Sequence, residues 1–392
     1  MNNIPFKLVH RDYAVLNLKK NPFPYSGVPD TNPTFYIGQT DVLSSIIQTL
    51  STTIITGKSS HIILTGPYGC GKSHTLLYIK EQLKAYEFEN GNTPIIGYIS
   101  QPGDTMLDIY RDFMYDLGLE TLQKYAQEYL CQIATNLIET KKIEGNISLP
   151  VVWEDIEEGY ILLSDLVPTA VMRLNESAKY VDFCKAFINL VYEENALTAW
   201  EWISGEGTDY TKRKYLSLSK NIDAKSVGRA FQAIKIILKI LGYRPIILLI
   251  DEFEAIENFP SNTKQALLNG IRHLIDVNGT DLSVILACAP DVWQSLVSEY
   301  HAFSERIGKE TCLKPLTVEK TKDLILAYLE HEVLDAAKPL DCFDERVYQQ
   351  LFERGMGNSR QILTLCGKLI DFAVDRGEQK ITTSSIEKLF QQ

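Results

Sequence analysis

The stretch Gly66-Pro67-Tyr68-Gly69-Cys70-Gly71-Lys72-Ser73 places glycines, a lysine and a hydroxyl at the spacing G-x-x-x-x-G-K-[ST], the pattern of a phosphate-binding P-loop. The chemistry follows from the residue types. Glycines let the backbone curl tightly, so that successive N–H groups point inward at phosphate oxygens. Lys72 is the cation for the β- and γ-phosphates, and Ser73 is the hydroxyl ligand for Mg2+. The flanks suit that geometry. His61-Ile62-Ile63-Leu64-Thr65 is a short apolar run fit for a buried strand, and residues 75–86 have helical spacing, with Leu76, Leu77, Ile79 and Leu83 on the apolar side. A helix N-terminus at this point adds partial positive charge.

A second group of reactive side chains lies far downstream. Ile246-Ile247-Leu248-Leu249-Ile250 is an aliphatic run of the kind found in a central parallel strand buried on both faces, and it ends in Asp251-Glu252. A carboxylate at such a tip, Asp251, holds Mg2+ through water. A second carboxylate immediately after it, Glu252, orients and deprotonates an attacking water. Alone, Glu252 would read as a solvated strand-end acid. Together with the P-loop, the pair points to hydrolysis rather than binding alone.

Composition narrows the class. The chain has 392 residues, long enough for two or three domains, and its hydrophobic content of 45% is ordinary for a globular protein. No apolar run reaches the roughly 18 residues of a membrane span, and residues 1–6 show no secretory leader. Seven scattered cysteines without a C-x-x-C pair fit reduced thiols in a cytosol better than disulfides or zinc. Cys70 inside the loop reads as small-residue filler. The net charge of −11 excludes a general polyanion binder, which needs clustered Lys and Arg. Lys212-Arg213-Lys214, beside Tyr210 and Tyr215, is the one dense basic run. It reads as a solvated loop, with a local nucleic-acid contact as the alternative.

The elements that must position these groups alternate between strand and helix. Residues 21–30 are rich in turn formers, and a helix is expected from Val42 to about Leu50. Further strands are expected at residues 94–100, 282–288 and 311–313, with the interval from about 104 to 241 almost wholly helical apart from loops near 144–158 and 204–222. Five strands separated by helices make a doubly wound parallel sheet, and ligands in such sheets sit beyond the strand C-termini. The expected organisation is an irregular segment over residues 1–35, a core over 36–317 that includes the helical insertion, and a helical lid over 318–392.

Five features then line up: Tyr36-Ile37-Gly38-Gln39 before the first helix, the P-loop, Ile246 to Glu252, the strand ending Ala287-Cys288-Ala289-Pro290-Asp291, and Gly357-Asn358-Ser359-Arg360 near the C-terminus. Together they resemble AAA+ ATPases, most of all the origin-recognition and replication-licensing clade. The likeness implies a five-stranded AAA+ P-loop core, with Asn21-Pro22-Phe23, Ile37 and Gly38 bordering an adenine pocket and Arg360 as the lid arginine that reaches the γ-phosphate. Arg306, in a stretch read as the end of the helix that follows the fourth strand, matches the arginine finger inserted into a neighbouring subunit's site. Its bland reading is a surface Arg paired with Glu305 or Glu310. The stretch Ala199-Trp200-Glu201-Trp202-Ile203-Ser204-Gly205-Glu206, with Leu241-Gly242-Tyr243 before the acid-tipped strand, also resembles the P-loop ATPases of BREX-type phage-defence systems.

There are departures from the AAA+ pattern. Gln39 stands where the usual residue is Arg, and Ala287-Cys288-Ala289 stands where a polar sensor is usual. The winged-helix DNA reader of the origin-recognition relatives is not seen after the lid, and the insertion of about 130 residues exceeds a minimal core. The expected protein is a cytoplasmic ATPase using ATP and Mg2+ to drive assembly or remodelling. It would work as a homo-oligomer or in a hetero-complex with a partner protein, with DNA as an open alternative and no membrane. The alternative reading is a nucleotide-gated interaction switch that hydrolyses slowly. A small-molecule P-loop kinase is disfavoured by the Asp-Glu pair and the lid.

Overall fold

The computed structural model describes residues 11–25, 33–86, 93–140, 149–338 and 340–391. The turn-rich residues 26–30, the loop residues 144–148 and residues 1–6 lie outside them. A short 3-10 turn, Tyr13–Leu16, comes first. There follow α1 (Thr40–Thr56), β1 (Ser60–Thr65), α2 (Lys72–Ala85) and β2 (Thr93–Ile99). The insertion holds α3 (Met106–Leu117), α4 (Leu119–Glu139), α5 (Leu149–Glu157), α6 (Leu163–Ala178), α7 (Val181–Asn189), α8 (Glu193–Ile203), α9 (Tyr210–Tyr215) and α10 (Val227–Ile240). After β3 (Tyr243–Ile250) come α11 (Ser261–Val277), β4 (Leu282–Cys288), α12 (Pro290–Glu299), α13 (His301–Ser304) and β5 (Lys309–Cys312). Helices α14 (Val318–His331), α15 (Glu345–Gly355), α16 (Ser359–Asp375) and α17 (Thr383–Phe390) complete the described chain.

The strands form one five-stranded sheet in the order β2-β3-β4-β1-β5. β3 pairs in parallel with β2 on one side and β4 on the other, so Ile250 aligns with Ile99 and Leu286. Both flanking pairings explain why β3 is aliphatic at every position from Ile246 to Ile250, all of them buried. This is the expected doubly wound α/β core, with its large helical insertion and its helical C-terminal region. Several elements differ from expectation. α1 runs on to Thr56 because Ile46, Leu50, Thr53 and Ile54 keep one face buried through a Ser/Thr-rich stretch. α2 begins at Lys72, directly after Gly71, whose φ of +97° ends the loop. Within the intervals expected as loops lie α5 and α9, the latter capped by Asp209, which accepts from the Lys212 N–H at 2.9 Å.

The chain forms two compact units. One comprises residues 46–63 and 82–310, the other residues 1–45, 64–81 and 311–392. In the first, the insertion closes over the sheet. Gly97 of β2 lets Phe113 of α3 approach so closely that a Cβ at Gly97 would lie 2.5 Å from the ring. Phe113 in turn stacks on Phe231 of α10. Trp202 is fully buried and donates its indole N–H to the Lys220 carbonyl at 3.0 Å. The tryptophan-rich stretch of the sequence is therefore an anchor of this helical core. In the second unit, Leu16, Leu18 and Phe23 pack in one cluster with Leu324, Ile325, Leu351, Leu369 and Ile370. Arg11 binds Asp371 and Asp375 of α16 at 2.7 and 2.8 Å. The segment before α1 is thus part of the same core as the C-terminal helices.

Candidate functional site

The P-loop lies in the unit that contains the C-terminal helices. Its backbone needs glycine where it turns: Gly69 and Gly71 have φ of +79° and +97°. Gly66 is required for space, since a Cβ there would meet Leu313 at 2.9 Å. The Lys72 ammonium is buried and donates to the Gly66 carbonyl at 2.9 Å, holding the loop's first and last parts together. Ser73 opens the first turn of α2, and Thr75 closes that turn onto the Gly71 carbonyl at 2.8 Å. Burial pushes the Cys70 thiol above its ordinary range, which suits a filler and not a reactive nucleophile.

Gly357-Asn358-Ser359-Arg360 touches this loop directly. The Asn358 amide donates to the Tyr68 carbonyl at 2.5 Å, and the Ser359 hydroxyl and Arg360 N–H donate to the Gly69 carbonyl at 2.7 and 3.1 Å. The Arg360 guanidinium lies 4.4 Å over the exposed Tyr68 ring. Asn358 also caps α16, accepting from Gln361. The segment before α1 meets α2 from another side. Tyr36 stacks on His74 and bonds Thr75 at 3.0 Å, and His74 bonds the Phe35 carbonyl at 3.1 Å. Burial pushes the Tyr36 phenol up to about 12. Gly38 has a φ of +87° under Leu316, Ile37 packs against the C-terminal cluster, and Gln39 donates to the Lys314 carbonyl.

The acid pair lies in the other unit. Asp251 continues the ladder one step past β3, its N–H donating to Ile99 at 2.8 Å. Its side chain is 2% exposed. Each carboxylate oxygen has a donor: the Glu252 N–H on Oδ1 at 2.9 Å, and the Tyr98 hydroxyl on Oδ2 at 3.0 Å. Desolvation, with Asp251 beside it, holds the Tyr98 phenol far above its ordinary range. Glu252 is exposed and left-handed, with φ 45° and ψ 38°. A non-glycine residue in that region is strained and needs surrounding structure to hold it.

Arg306 also lies in this unit, just after α13. It pairs with Asp276 of α11 at 2.5 Å, not with Glu305 or Glu310. The pair is exposed on both sides. At the tip of β4, where the AAA+ resemblance implies a polar sensor, stands the fully buried Cys288. The basic run proves to be helical: Lys212 pairs with Glu201 at 2.7 Å and Arg213 donates to the Thr208 carbonyl, while Tyr210 and Tyr215 are exposed. Sequence reasoning did not single out Tyr98, the one polar side chain from Ile95 to Ile99 of β2. It missed Asp276 as well, which carries no local signal. Among the described residues there is no cluster of three or more His, Cys, Asp or Glu side chains fit for a metal, and no helix long and apolar enough to cross a membrane.

A glycine loop between strand and helix, on a parallel sheet whose β3 ends in Asp-Glu, defines a P-loop nucleotide-binding protein of the AAA+ type. The chain belongs to the family described as BREX system ATP-binding protein BrxC/D, whose model matches residues 24–337. It is also similar, at 25% identity over 142 residues, to an uncharacterized HTH-type transcriptional regulator of Methanocaldococcus jannaschii. That match takes in 36% of this chain, and the chain spans only about a third, 34%, of that curated relative. Among solved structures, it is similar to the ORC1 protein of Aeropyrum pernix in complex with DNA, with 15% identity and a TM-score of 0.49 over 97% of this chain and 69% of that one. The Thermotoga maritima RuvB Holliday junction branch migration motor shows 13% identity and a TM-score of 0.43 over 93% of this chain and 73% of that one.

Proposed function

We infer that the chain is a cytoplasmic, Mg2+-dependent ATPase that hydrolyses ATP to ADP and phosphate. In this reading it drives assembly or remodelling of a nucleic-acid-associated phage-defence complex, as a homo-oligomer or with a partner protein. The family description supports ATP as the nucleotide. The observation that carries hydrolysis is the tip of β3, where a buried, doubly hydrogen-bonded Asp251 precedes an exposed Glu252. In this reading the P-loop backbone from Gly66 to Ser73 cradles the phosphates, and Lys72 exchanges the Gly66 carbonyl for phosphate oxygen. The Ser73 hydroxyl and Asp251 carboxylate are hard oxygen donors of the kind Mg2+ takes. When bound, the ion supplies charge neutralisation at the β- and γ-phosphates. Glu252 takes the proton of the attacking water. Arg360 leaves Tyr68 for the γ-phosphate, while Ile37 and Gly38 border the base. Arg306 leaves Asp276 to act in a neighbouring subunit; the pair is exposed, screened by solvent and so weakly held.

The second reading, a slow-hydrolysing nucleotide-gated switch, is favoured by the buried Cys288 between Ala287 and Ala289 where a polar sensor would stand. Phosphate release from ATP and Mg2+, measured with and without DNA or partner proteins, separates the two. Steady release of free phosphate supports the ATPase. Tight binding with no release under any of these conditions sinks hydrolysis and leaves the switch.

A further inference from the structure

We propose that Tyr98 is a positioning residue for the metal-holding carboxylate: its hydroxyl, from the neighbouring strand, sets the orientation of Asp251 and, through Asp251, of Glu252. The inference rests on the reading of Asp251 and Glu252 given above. Tyr98 stands one residue before the end of β2, in register with Leu249, and so lies diagonally across from the residue that follows β3. From there its hydroxyl donates to Asp251 Oδ2 at 3.0 Å. The other oxygen, Oδ1, accepts from the N–H of Glu252 at 2.9 Å. Two donors on two different oxygens fix the plane of the carboxylate. Each oxygen keeps a further acceptor position, so the group remains able to face a hydrated cation. The Oδ1 bond reaches a residue with φ 45°, a conformation that persists only when its neighbours impose it. Tyr98, Asp251 and Glu252 therefore form a relay in which one phenol holds the carboxylate and the carboxylate holds the left-handed turn of the base. Partners that orient a metal-binding group typically matter by about 10–100-fold in metal affinity or activity.

The test uses the full chain, with Mn2+ as a spectroscopic stand-in for Mg2+. Mn2+ affinity is measured by electron paramagnetic resonance in the presence of a non-hydrolysable ATP analogue. Affinity for the same analogue is measured separately in chelator. Tyr98→Phe removes one oxygen and keeps the ring. The expected result is Mn2+ affinity about tenfold weaker, with metal-free nucleotide affinity unchanged. Amide exchange at Glu252 should also be faster than in the wild type. Mn2+ affinity within about twofold of wild type overturns the proposal while leaving the ATPase reading intact. Loss of metal-free nucleotide binding in Tyr98→Phe also overturns it, since the hydroxyl would then act through the fold. A wild-type protein that binds the analogue with no Mn2+ dependence overturns both the proposal and the metal role of Asp251.

Discussion

At the scale of single residues, the proposed ATPase assigns binding to Lys72 and chemistry to Glu252, and the two can be separated. Lys72 is buried against the Gly66 carbonyl and is the cation within the loop itself. Lys72→Ala should weaken ATP binding strongly with the fold intact, read by titration of a fluorescent ATP analogue. Wild-type affinity in that variant would end the P-loop assignment. Glu252→Gln keeps size and hydrogen bonding but cannot accept a proton. ATP should still bind, while turnover falls by about 10²-fold or more. Unchanged turnover would move the base elsewhere, with Glu254 the next candidate. The reach of sequence reading is visible in these same residues. Lys72, Ser73, Asp251 and Glu252 could be nominated from the sequence because local spacing and an aliphatic strand single them out. Tyr98 and Asp276 were not, because their partners lie 153 and 30 positions away and only the fold brings them together.

Among the elements, the contact between α16 and the P-loop has the clearest consequences. Asn358 both caps α16 and donates to Tyr68. Asn358→Ala should therefore cost about 1 kcal/mol through the lost cap, read as a lower melting temperature. It should also speed amide exchange across residues 68–71. Exchange unchanged there would show that Ser359 and the Arg360 backbone hold the loop without it. The strap from Arg11 to α16 gives a pH dependence. The Arg11 guanidinium holds the Asp375 carboxyl below the usual carboxylate range. A depressed folded-state value means that the stabilisation is present above the unfolded value of about 3.9 and is lost as pH falls through the folded one. The difference in melting temperature between wild type and Arg11→Ala should thus be constant from pH 8 to 5 and shrink below about pH 4. With Asp375 side chain 45% exposed, the effect should be small and weaken in salt. The central strands β3 and β4 were readable as elements because burial on both faces demands near-continuous apolar runs. The short α9 was not, since its start depends on one Asp209 cap within a polar stretch.

For the whole molecule, the open matter is whether one subunit completes another's site. Arg306→Ala should leave ATP affinity nearly intact and remove hydrolysis. Mixing it with Glu252→Gln should restore part of the activity, because a mixed interface pairs an intact base with an intact finger. Arg360→Ala should show no such rescue. Specific activity constant over a wide dilution range, with no rescue on mixing, would rule out the trans finger and favour the isolated switch. The discontinuous unit has a different consequence, one that concerns the ribosome. Residues 46–63 and 82–310 make up one unit, whereas Leu16, Leu18 and Phe23 belong to a cluster whose other buried members, among the described residues, lie beyond residue 311. At translation rates of about 5–20 residues per second, these hydrophobic anchors emerge roughly 15 to 60 seconds before the helices that cover them. The nascent chain thus carries these apolar anchors uncovered while about 300 further residues are made, and this interval is where holdase chaperones should engage it.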